Sequence, residues 1–236
     1  LVGNSGIPVS ARAEEIDENT VCVAEVSSFQ LESVSDFKPH IACVLNITPD
    51  HLTRHYTMDN YIYLKRRILK NLKESEYAVL NYDDETVRSF SDELRAETLW
   101  VSVKEKTNGA YAENGKLCFG EEEIADISEM TVKGEHNVYD ALFAIASAKL
   151  LGLKTESIIA ALKNFRGVPH RIEPVAELDG VKFYDDSKAT NTAGAIAAIK
   201  TMSVPTVLIL GGSEKGEKYE ELFKEIRRSE VKHTVI

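Results

Sequence analysis

Apolar residues recur along the chain in two alternating patterns, one typical of buried strands and the other of amphipathic helices. Short apolar runs, typical of parallel strands that are covered on both faces, occur at 20–26, 40–47 and 77–81. Apolar residues at spacings of three and four, typical of helices, occur at 59–74, 137–152 and 155–165. This alternation predicts an α/β fold built on a parallel sheet.

The same alternation resumes after an interruption and divides the chain. Residues 98–133 form shorter, mixed segments in which "ENGK" predicts a hairpin turn, and two prolines in "GVPHRIEPV" place a domain boundary near Val168. Strands are then predicted at 181–186 and 206–212, and helices from Thr192 and at 218–228. We therefore predict two Rossmann-like, doubly wound units, spanning 1–168 and 169–236.

Composition narrows the possible partners and the cellular compartment. The 236-residue chain is 43% apolar and has a formal charge of −10, so it offers no excess of cations to a nucleic-acid backbone. A nucleotide needs only a local site and stays possible. Three cysteines without metal-ligand spacing (Cys22, Cys43 and Cys118) and the lack of a signal peptide or apolar span predict a cytoplasmic protein. The loop-like start and the strand-like end "KHTVI", expected to be buried, predict a piece of a longer chain.

Polar residues follow the predicted strands where each one ends. In open α/β sheets, ligands bind outside the carboxyl ends of the strands, so we expect these residues to line one cleft between the two units. The candidates are Glu25, Ser27, Ser28, Gln30, Asn46, Thr48, Asp50, His51, Asp185, Asp186, Ser187, Lys188, Thr190, Asn191, Gly211, Gly212 and Lys215. Each cluster alone is weak, because a loop histidine or a Gly-Gly pair is common outside ligand sites.

Lys65 lies on the predicted apolar face of helix 59–74, four residues after Tyr61 and three before Ile68. Two explanations are open. The side chain could pack its stem and extend its ammonium to water. It could instead be desolvated and held near its neutral form, in which an amine is nucleophilic.

Six motifs, in order across almost the whole chain, resemble those of the Mur ligase family. They are "EVSSFQLE" (25–32), "NITPDHLTRH" (46–55), "YIYLK" (61–65), "GEHNVYDA" (134–141), "GVPHRIE" (167–173) and "YDDSKATN" (184–191). The resemblance implies ATP-dependent amide synthesis, in which a substrate carboxylate attacks the γ-phosphate of ATP and an amino acid displaces the phosphate. The forms "SSFQLE" and "DSKATN" resemble members that add D-glutamate to UDP-N-acetylmuramoyl-L-alanine.

The resemblance also implies what the family has beyond this chain. The UDP-binding domain, the glycine-rich phosphate loop and the rest of the C-terminal domain are not in the sequence. Residues 1–168 then correspond to most of the central ATPase domain, and residues 169–236 to the first part of the C-terminal domain. We expect a monomer with no membrane insertion.

Site residues carried over from the family fall into four groups. Catalysis is implied for Glu25, His51, Lys65 and Lys188, of which Glu25, His51 and a carbamylated Lys65 would hold Mg²⁺. The muramoyl substrate would contact Asn4, Ser27 and Gln30. ATP would be bound by Asn137, Arg171, Asp186 and Lys188. D-Glutamate would be bound by Thr190 and Lys215.

Three positions depart from the family pattern, and two other functions stay open. Thr53, Asp140 and Ser213 replace residues that are usual in the family, and leave the roles of those positions open. Within the same class, the protein could be a sibling ligase or a folylpolyglutamate synthetase that uses another amino acid. From a different class, it could be a non-catalytic nucleotide-binding regulatory module.

Overall fold

The computed structural model describes residues 1–213 and 218–236, so Lys215 lies outside the described residues. The strands are β1 (Val2–Gly3), β2 (Ala24–Glu25), β3 (Ile41–Val44), β4 (Tyr77–Asn81), β5 (Glu97–Ser102), β6 (Ala110–Glu113), β7 (Lys116–Phe119), β8 (Glu122–Asp126), β9 (Glu173–Leu178), β10 (Val181–Asp185), β11 (Thr206–Ile209) and β12 (Val231–Val235). The α-helices are α1 (Ser28–Leu31), α2 (Leu52–His55), α3 (Met58–Arg66), α4 (Glu85–Arg88), α5 (Glu135–Leu150), α6 (Thr155–Asn164), α7 (Thr192–Thr201) and α8 (Glu220–Arg228).

A six-stranded sheet forms the centre of the first unit, with the order β3-β4-β5-β6-β7-β8. The first four strands are parallel, and the last three form antiparallel hairpins. The turn between β6 and β7 is Asn114-Gly115, with φ of 50° and 78°, which suits the primed turns that match the twist of a hairpin. The predicted parallel sheet and hairpin turn are confirmed.

Helices cover both faces of this sheet, as a doubly wound fold requires. Along β4, Val79 faces the core formed with α5 and α6, whereas Ala78 and Leu80 face the core beside α3 and α4. All three side chains are fully buried. A strand buried on both faces must be apolar at successive positions, which is why "YAVLN" lacks the alternation of a half-exposed strand. The predicted α/β fold class is confirmed.

The predicted strand at 20–26 was largely wrong. Only Ala24–Glu25 is extended in a sheet, paired with the two residues of β1. Val21 and Val23 are 61% and 62% exposed, so within the described residues nothing covers this apolar run. A two-residue neighbour offers too few backbone partners to continue the ladder.

Several helix and strand bounds also differ from those predicted. Helix α3 ends at Arg66, and a 3₁₀ turn at Arg67–Leu69 replaces the expected last turns. Helix α5 begins two residues earlier than predicted, at Glu135, and its chain reverses at Gly152 (φ 73°), the predicted terminator. Such differences arise because helix ends are stabilised by caps rather than by the apolar period.

In the second unit, two small sheets accompany helices α7 and α8. Strands β9 and β10 form an antiparallel hairpin, and β11 pairs in parallel with β12. Strand β9 was not predicted because Pro174 interrupts it; Pro174 faces Tyr184 at an irregularity in the register. The end of the chain is a strand, as expected, but Val235 is 52% exposed rather than buried.

Helix length and the cysteines are two further features of the fold. No helix among the described residues is long and apolar enough to cross a membrane. The three cysteines are free thiols, with Cys22 exposed and Cys118 buried.

Candidate active site

The carboxylate of Glu25 stands at the end of β2, where β1 meets it. Asn4 donates from its side-chain amide to Glu25 Oε2 at 2.9 Å, and its backbone N–H donates to the Glu25 carbonyl at 2.8 Å. Gly3, with φ of 109°, lies so close that a Cβ there would overlap the carbonyl oxygen of Glu25. A glycine is therefore needed at position 3 to let Asn4 reach Glu25.

Ser27 and Gln30 form a capping box at the start of α1. The Gln30 backbone N–H donates to Ser27 Oγ at 3.3 Å, and the Ser27 backbone N–H donates to Gln30 Oε1 at 2.9 Å. This arrangement satisfies two backbone donors at the helix start. The predicted substrate-binding pair is thus brought together in one rigid turn.

His51 lies in the loop after β3, directly before α2. Its backbone is left-handed, with φ of 54°, an uncommon conformation for a residue other than glycine. Its ring is exposed, lies 5.0 Å from the ring of Phe29, and places Nε2 3.7 Å from Asp50 Oδ2. The left-handed turn thus presents the imidazole at the protein surface beside a carboxylate.

Lys65 is half-buried in helix α3, with its ammonium 5.7 Å from the centre of the Tyr61 ring. Burial lowers the pKa of Lys65, and this effect opposes the carboxylates of Glu25 and Asp50, which raise it. Glu25, Asp50 and Lys65 therefore share one electrostatic environment, although they come from three separate elements. This supports the desolvated alternative for Lys65.

A second group of predicted residues surrounds the start of α5. Asn137 donates to the carbonyl of Lys133 at 2.7 Å and lies 3.0 Å from His136 Nε2. Burial lowers the pKa of His136, while Arg171 and Asp186 act on it as nearby charges, lowering and raising it respectively. The predicted ATP-binding residues Asn137, Arg171 and Asp186 are therefore gathered around a histidine that the sequence analysis did not select.

The loop after β10 carries the other predicted residues. Asp186 accepts a backbone hydrogen bond from Ile172 at 3.0 Å, and burial raises its pKa. Lys188 is exposed, and its backbone N–H donates to the His170 carbonyl at 3.0 Å. Thr190 is also exposed, and its backbone N–H donates to the Lys188 carbonyl at 2.9 Å.

One side-chain hydrogen bond connects the two groups. The amide of Asn191, at the start of α7, donates to Asp50 Oδ2 at 3.1 Å, across 141 positions of sequence. The loops that follow β3 and β10 therefore meet, and they come from the two predicted units. Asp50 and Asn191 were both among the polar residues expected after strands, but nothing in their spacing along the chain indicated that they pair with each other.

The structure also groups residues that were not predicted as metal ligands. Of the His, Cys, Asp and Glu side chains in the described ranges, His170, Glu173 and Asp185 place ligand atoms within 4.8 Å of one another. His170 and Asp185 already pair at 2.7 Å. The predicted metal set contains only two residues of these types, Glu25 and His51, because its third member is Lys65.

The chain belongs to the Mur ligase family. A family model described as the Mur ligase middle domain matches residues 4–148, which include β2 to β8 and most of α5. The expectation drawn from the six motifs is confirmed.

Two similar curated proteins have the same name. The chain is 44% identical over 225 residues to the UDP-N-acetylmuramoylalanine--D-glutamate ligase of Caldanaerobacter subterraneus subsp. tengcongensis, covering 95% of this chain and 50% of that protein. It is 40% identical over 228 residues to the ligase of the same name from Lactococcus lactis subsp. lactis, covering 96% and 51%. The chain thus spans about half the length of the curated relatives it matches.

Solved structures share the fold at low sequence identity. MurF from Acinetobacter baumannii aligns with a TM-score of 0.67 and 19% identity, over 89% of this chain and 50% of that chain. MurF ligase from Thermotoga maritima in complex with ADP aligns with a TM-score of 0.62 and 19% identity, over 81% and 47%. These alignments support the fold alone.

Proposed function

We propose that this chain is the central part of an ATP-dependent ligase that adds D-glutamate to UDP-N-acetylmuramoyl-L-alanine in the synthesis of peptidoglycan precursors. The substrate's carboxylate would attack the γ-phosphate of ATP, and the amine of D-glutamate would displace phosphate from the resulting acyl phosphate. The observation that carries the proposal is that Lys65 is half-buried. This burial lowers the pKa of Lys65, although the charges of Glu25 and Asp50 raise it. The names of the 40–45% identical relatives support the substrate assignment.

The residue types proposed as ligands would suit a magnesium ion once Lys65 is modified. A neutral Lys65 amine can add to the carbon of CO₂ and release one proton to solvent, which gives a carbamate with two hard oxygens. Glu25, His51 and carbamylated Lys65 would then hold Mg²⁺, which prefers oxygen ligands. The ion would neutralise charge that develops during phosphoryl transfer.

The other residues would bind and orient the reactants. The capping-box turn of Ser27 and Gln30, together with Asn4, would position the muramoyl substrate. Asn137, Arg171 and Asp186 would hold the nucleotide, and the exposed ammonium of Lys188 would face its phosphates. Thr190 and Lys215 would receive the carboxylate of D-glutamate.

The domain organisation is part of the proposal. Residues 1–168 would form most of the central ATP-binding domain and residues 169–236 the first part of the C-terminal domain of a monomeric cytoplasmic enzyme. Closure around ligands would bring Lys188 and Thr190 toward the groups held by Glu25 and His51, as lid and domain closures do in other enzymes. The hydrogen bond between Asp50 and Asn191 supports such an approach.

Substitution of Lys65 tests the proposal in the complete enzyme. Lys65→Ala is expected to reduce the rate of ligation by at least about a hundredfold, because one of the proposed ligands of Mg²⁺ is lost. Formate or acetate should partly restore the rate by supplying the missing oxygen ligands. Lys70→Ala is a matched control, since Lys70 is an exposed lysine just beyond the same helix. Wild-type activity in Lys65→Ala, or a crystal structure with an unmodified Lys65 and magnesium bound elsewhere, would contradict it.

The choice of amino acid separates the proposal from its alternatives. Ligation should occur with D-glutamate and not with L-lysine, diaminopimelate or L-glutamate when phosphate release is followed. Preference for another amino acid would indicate a sibling ligase or a folylpolyglutamate synthetase. Nucleotide binding without ligation of any of them would indicate a regulatory module.

A further inference from the structure

His55, the last residue of α2, is buried in a way that charged or polar side chains rarely are. The residue is 1% exposed, although its neighbours Arg54 and Tyr56 are both exposed. Its Nε2 lies 2.9 Å from Ser28 Oγ. Its Nδ1 is buried and has no hydrogen-bond partner within the described residues. Because a buried polar atom without a partner costs stability, this histidine calls for an explanation.

The surroundings of the ring indicate which proton it carries. Burial lowers the pKa of His55, so the neutral imidazole with a single N–H is favoured. Glu32 Oε1 lies 3.7 Å from Nδ1, beyond hydrogen-bond distance but close enough to favour an N–H over a lone pair there. The Ser28 hydroxyl then donates to Nε2. Glu32 itself is oriented by Arg54, whose guanidinium donates to its other oxygen at 2.7 Å.

The ring also lies at the centre of an aromatic stack that joins three helices. Phe29 of α1 is 5.2 Å away at an interplanar angle of 26°, and Tyr61 of α3 is 5.4 Å away at 25°. The hydrogen bond to Ser28 adds direction to this stack, because stacked rings can slide at little cost whereas a buried hydrogen bond cannot. His55 therefore connects α1 to α3 by ring contacts and by a hydrogen bond.

The residues that contact His55 on either side lie next to residues of the candidate site. On one side, Ser28 and Phe29 lie between Ser27 and Gln30, the two residues of the capping box. On the other side, Tyr61 lies one helical turn before Lys65 and contacts its ammonium. A shift of α1 against α3 would thus change the distance between the proposed substrate-binding turn and the proposed metal ligand.

The order Ser28, His55 and Glu32 resembles a nucleophilic triad, but the geometry opposes that role. Ser28 is 2% exposed, so a substrate cannot reach its hydroxyl. The separation of 3.7 Å between His55 and Glu32 is also longer than the hydrogen bond that orients a catalytic histidine. The cluster is suited to holding positions rather than to attacking a substrate.

We propose that His55 is a positioning residue that sets the capping-box turn of Ser27 and Gln30 relative to Lys65 through its hydrogen bond to Ser28. The inference rests on the proposed function, since it concerns the binding of the muramoyl substrate. The residues around His136 that are proposed to bind the nucleotide lie outside α1, α2 and α3, the helices that this contact joins. Loss of the hydrogen bond is therefore expected to weaken the binding of UDP-N-acetylmuramoyl-L-alanine and to leave the binding of ATP unchanged.

Two substitutions in the complete enzyme remove the bond from opposite sides. His55→Phe retains an aromatic ring between Phe29 and Tyr61 but has no acceptor, and Ser28→Ala removes the hydroxyl. Each is expected to raise the KM for UDP-N-acetylmuramoyl-L-alanine about fivefold, as the loss of one neutral hydrogen bond implies, with the KM for ATP unchanged. His55→Gln, whose amide can reach the position of Nε2, should restore much of the loss. His40→Gln is the control, because His40 also contacts a tyrosine ring but lies on the exposed surface.

Nitrogen NMR of histidine-labelled enzyme gives a readout independent of turnover. We expect a neutral His55 ring with its proton on Nδ1, and a shift of the Nε2 resonance in Ser28→Ala.

Equal changes in both KM values, no change in either, or covalent labelling of Ser28 by a fluorophosphonate would overturn the inference. If His55→Phe fails to fold, Ser28→Ala decides, because it removes a single atom. If the wild-type enzyme ligates D-glutamate but the variants do not raise one KM alone, only this inference fails. If the wild-type enzyme does not ligate D-glutamate, the proposed function fails as well.

Discussion

At the scale of single residues, His170 connects the start of the second unit to the loop that carries Lys188. Its Nδ1 pairs with Asp185 Oδ2 at 2.7 Å, its carbonyl accepts the Lys188 N–H at 3.0 Å, and its own N–H donates to Glu173 at 2.7 Å. The backbone adopts a left-handed conformation there, with φ of 65°. These contacts hold the loop in place around a strained residue.

The ion pair predicts how stability changes with pH. The hydrogen bond to Asp185 raises the pKa of His170, and the same bond lowers that of Asp185 to about 2. The stabilisation is therefore fully present below the unfolded pKa of histidine, about 6.5, and is lost as pH rises through the raised pKa. On the acidic side, it is present above about pH 4 and is lost as pH falls toward 2. Asp185→Asn should lower the melting temperature of the complete enzyme more at pH 5 than at pH 8.5.

A control for this prediction is available on the neighbouring strand. Glu177 lies on β9, faces Lys182 in the hairpin register and is exposed. Glu177→Gln should change the melting temperature equally at both pH values. An equal effect of Asp185→Asn at pH 5 and pH 8.5 would show that the pair does not respond to the titration of His170.

At the scale of elements, two glycines test how tightly β5 and β6 are paired. Gly109 lies directly before β6, and a Cβ there would overlap the carbonyl oxygen of Trp100 in β5. Gly115 lies in the turn between β6 and β7, with a φ of 78°, and a Cβ there would have no atom within 4 Å. Gly115→Ala should therefore lower the free energy of unfolding by about 1 kcal/mol, from backbone strain alone. Gly109→Ala should lower it by more, because the strands must separate.

Chemical denaturation of the two variants measures this difference. Gly152→Ala is a matched control for backbone strain, since Gly152 also has a positive φ, 73°, with no nearby atom. It should resemble Gly115→Ala. Equal effects for all three variants would show that the chain at Gly109 shifts without cost.

At the scale of the whole molecule, the hydrogen bond between Asn191 and Asp50 predicts a response of the interdomain angle. Asn191 also caps α7, where its side chain accepts the N–H of Gly194 at 2.8 Å. Asn191→Asp preserves this cap but places a carboxylate against Asp50, so repulsion should open the two units and increase the radius of gyration by small-angle X-ray scattering. Asn191→Ser keeps a capping oxygen without the added charge and is the control.

Ligands should act in the opposite direction. Addition of ATP and substrate to the wild-type enzyme should reduce the radius of gyration, and Asn191→Asp should weaken this response. Identical scattering from empty and liganded wild-type enzyme would contradict a change of angle near Val168.

The elements that the sequence predicted well are those whose shape is determined locally. The strand at 77–81, the Asn114-Gly115 turn and the end of α5 at Gly152 follow from apolar runs and from the backbone freedom of glycine and asparagine. The run at 20–26 has the same local character, yet only two of its residues form a strand. Whether a β-branched run joins a sheet depends on a neighbour to pair with, which a local pattern does not contain.

The sequence by itself determined the α/β class, the family and the residue types of the candidate site. Motif order is a property of the chain, so Glu25, His51, Lys65 and Lys188 could be selected without coordinates. Only the tertiary structure decided that Lys65 is half-buried within electrostatic range of two carboxylates and that Asn191 reaches Asp50. The structure also shows that His55 is buried against Ser28, which lies 27 positions earlier in the sequence. Burial and long-range hydrogen bonds depend on how distant elements pack, and neither is encoded in the spacing of residues along one element.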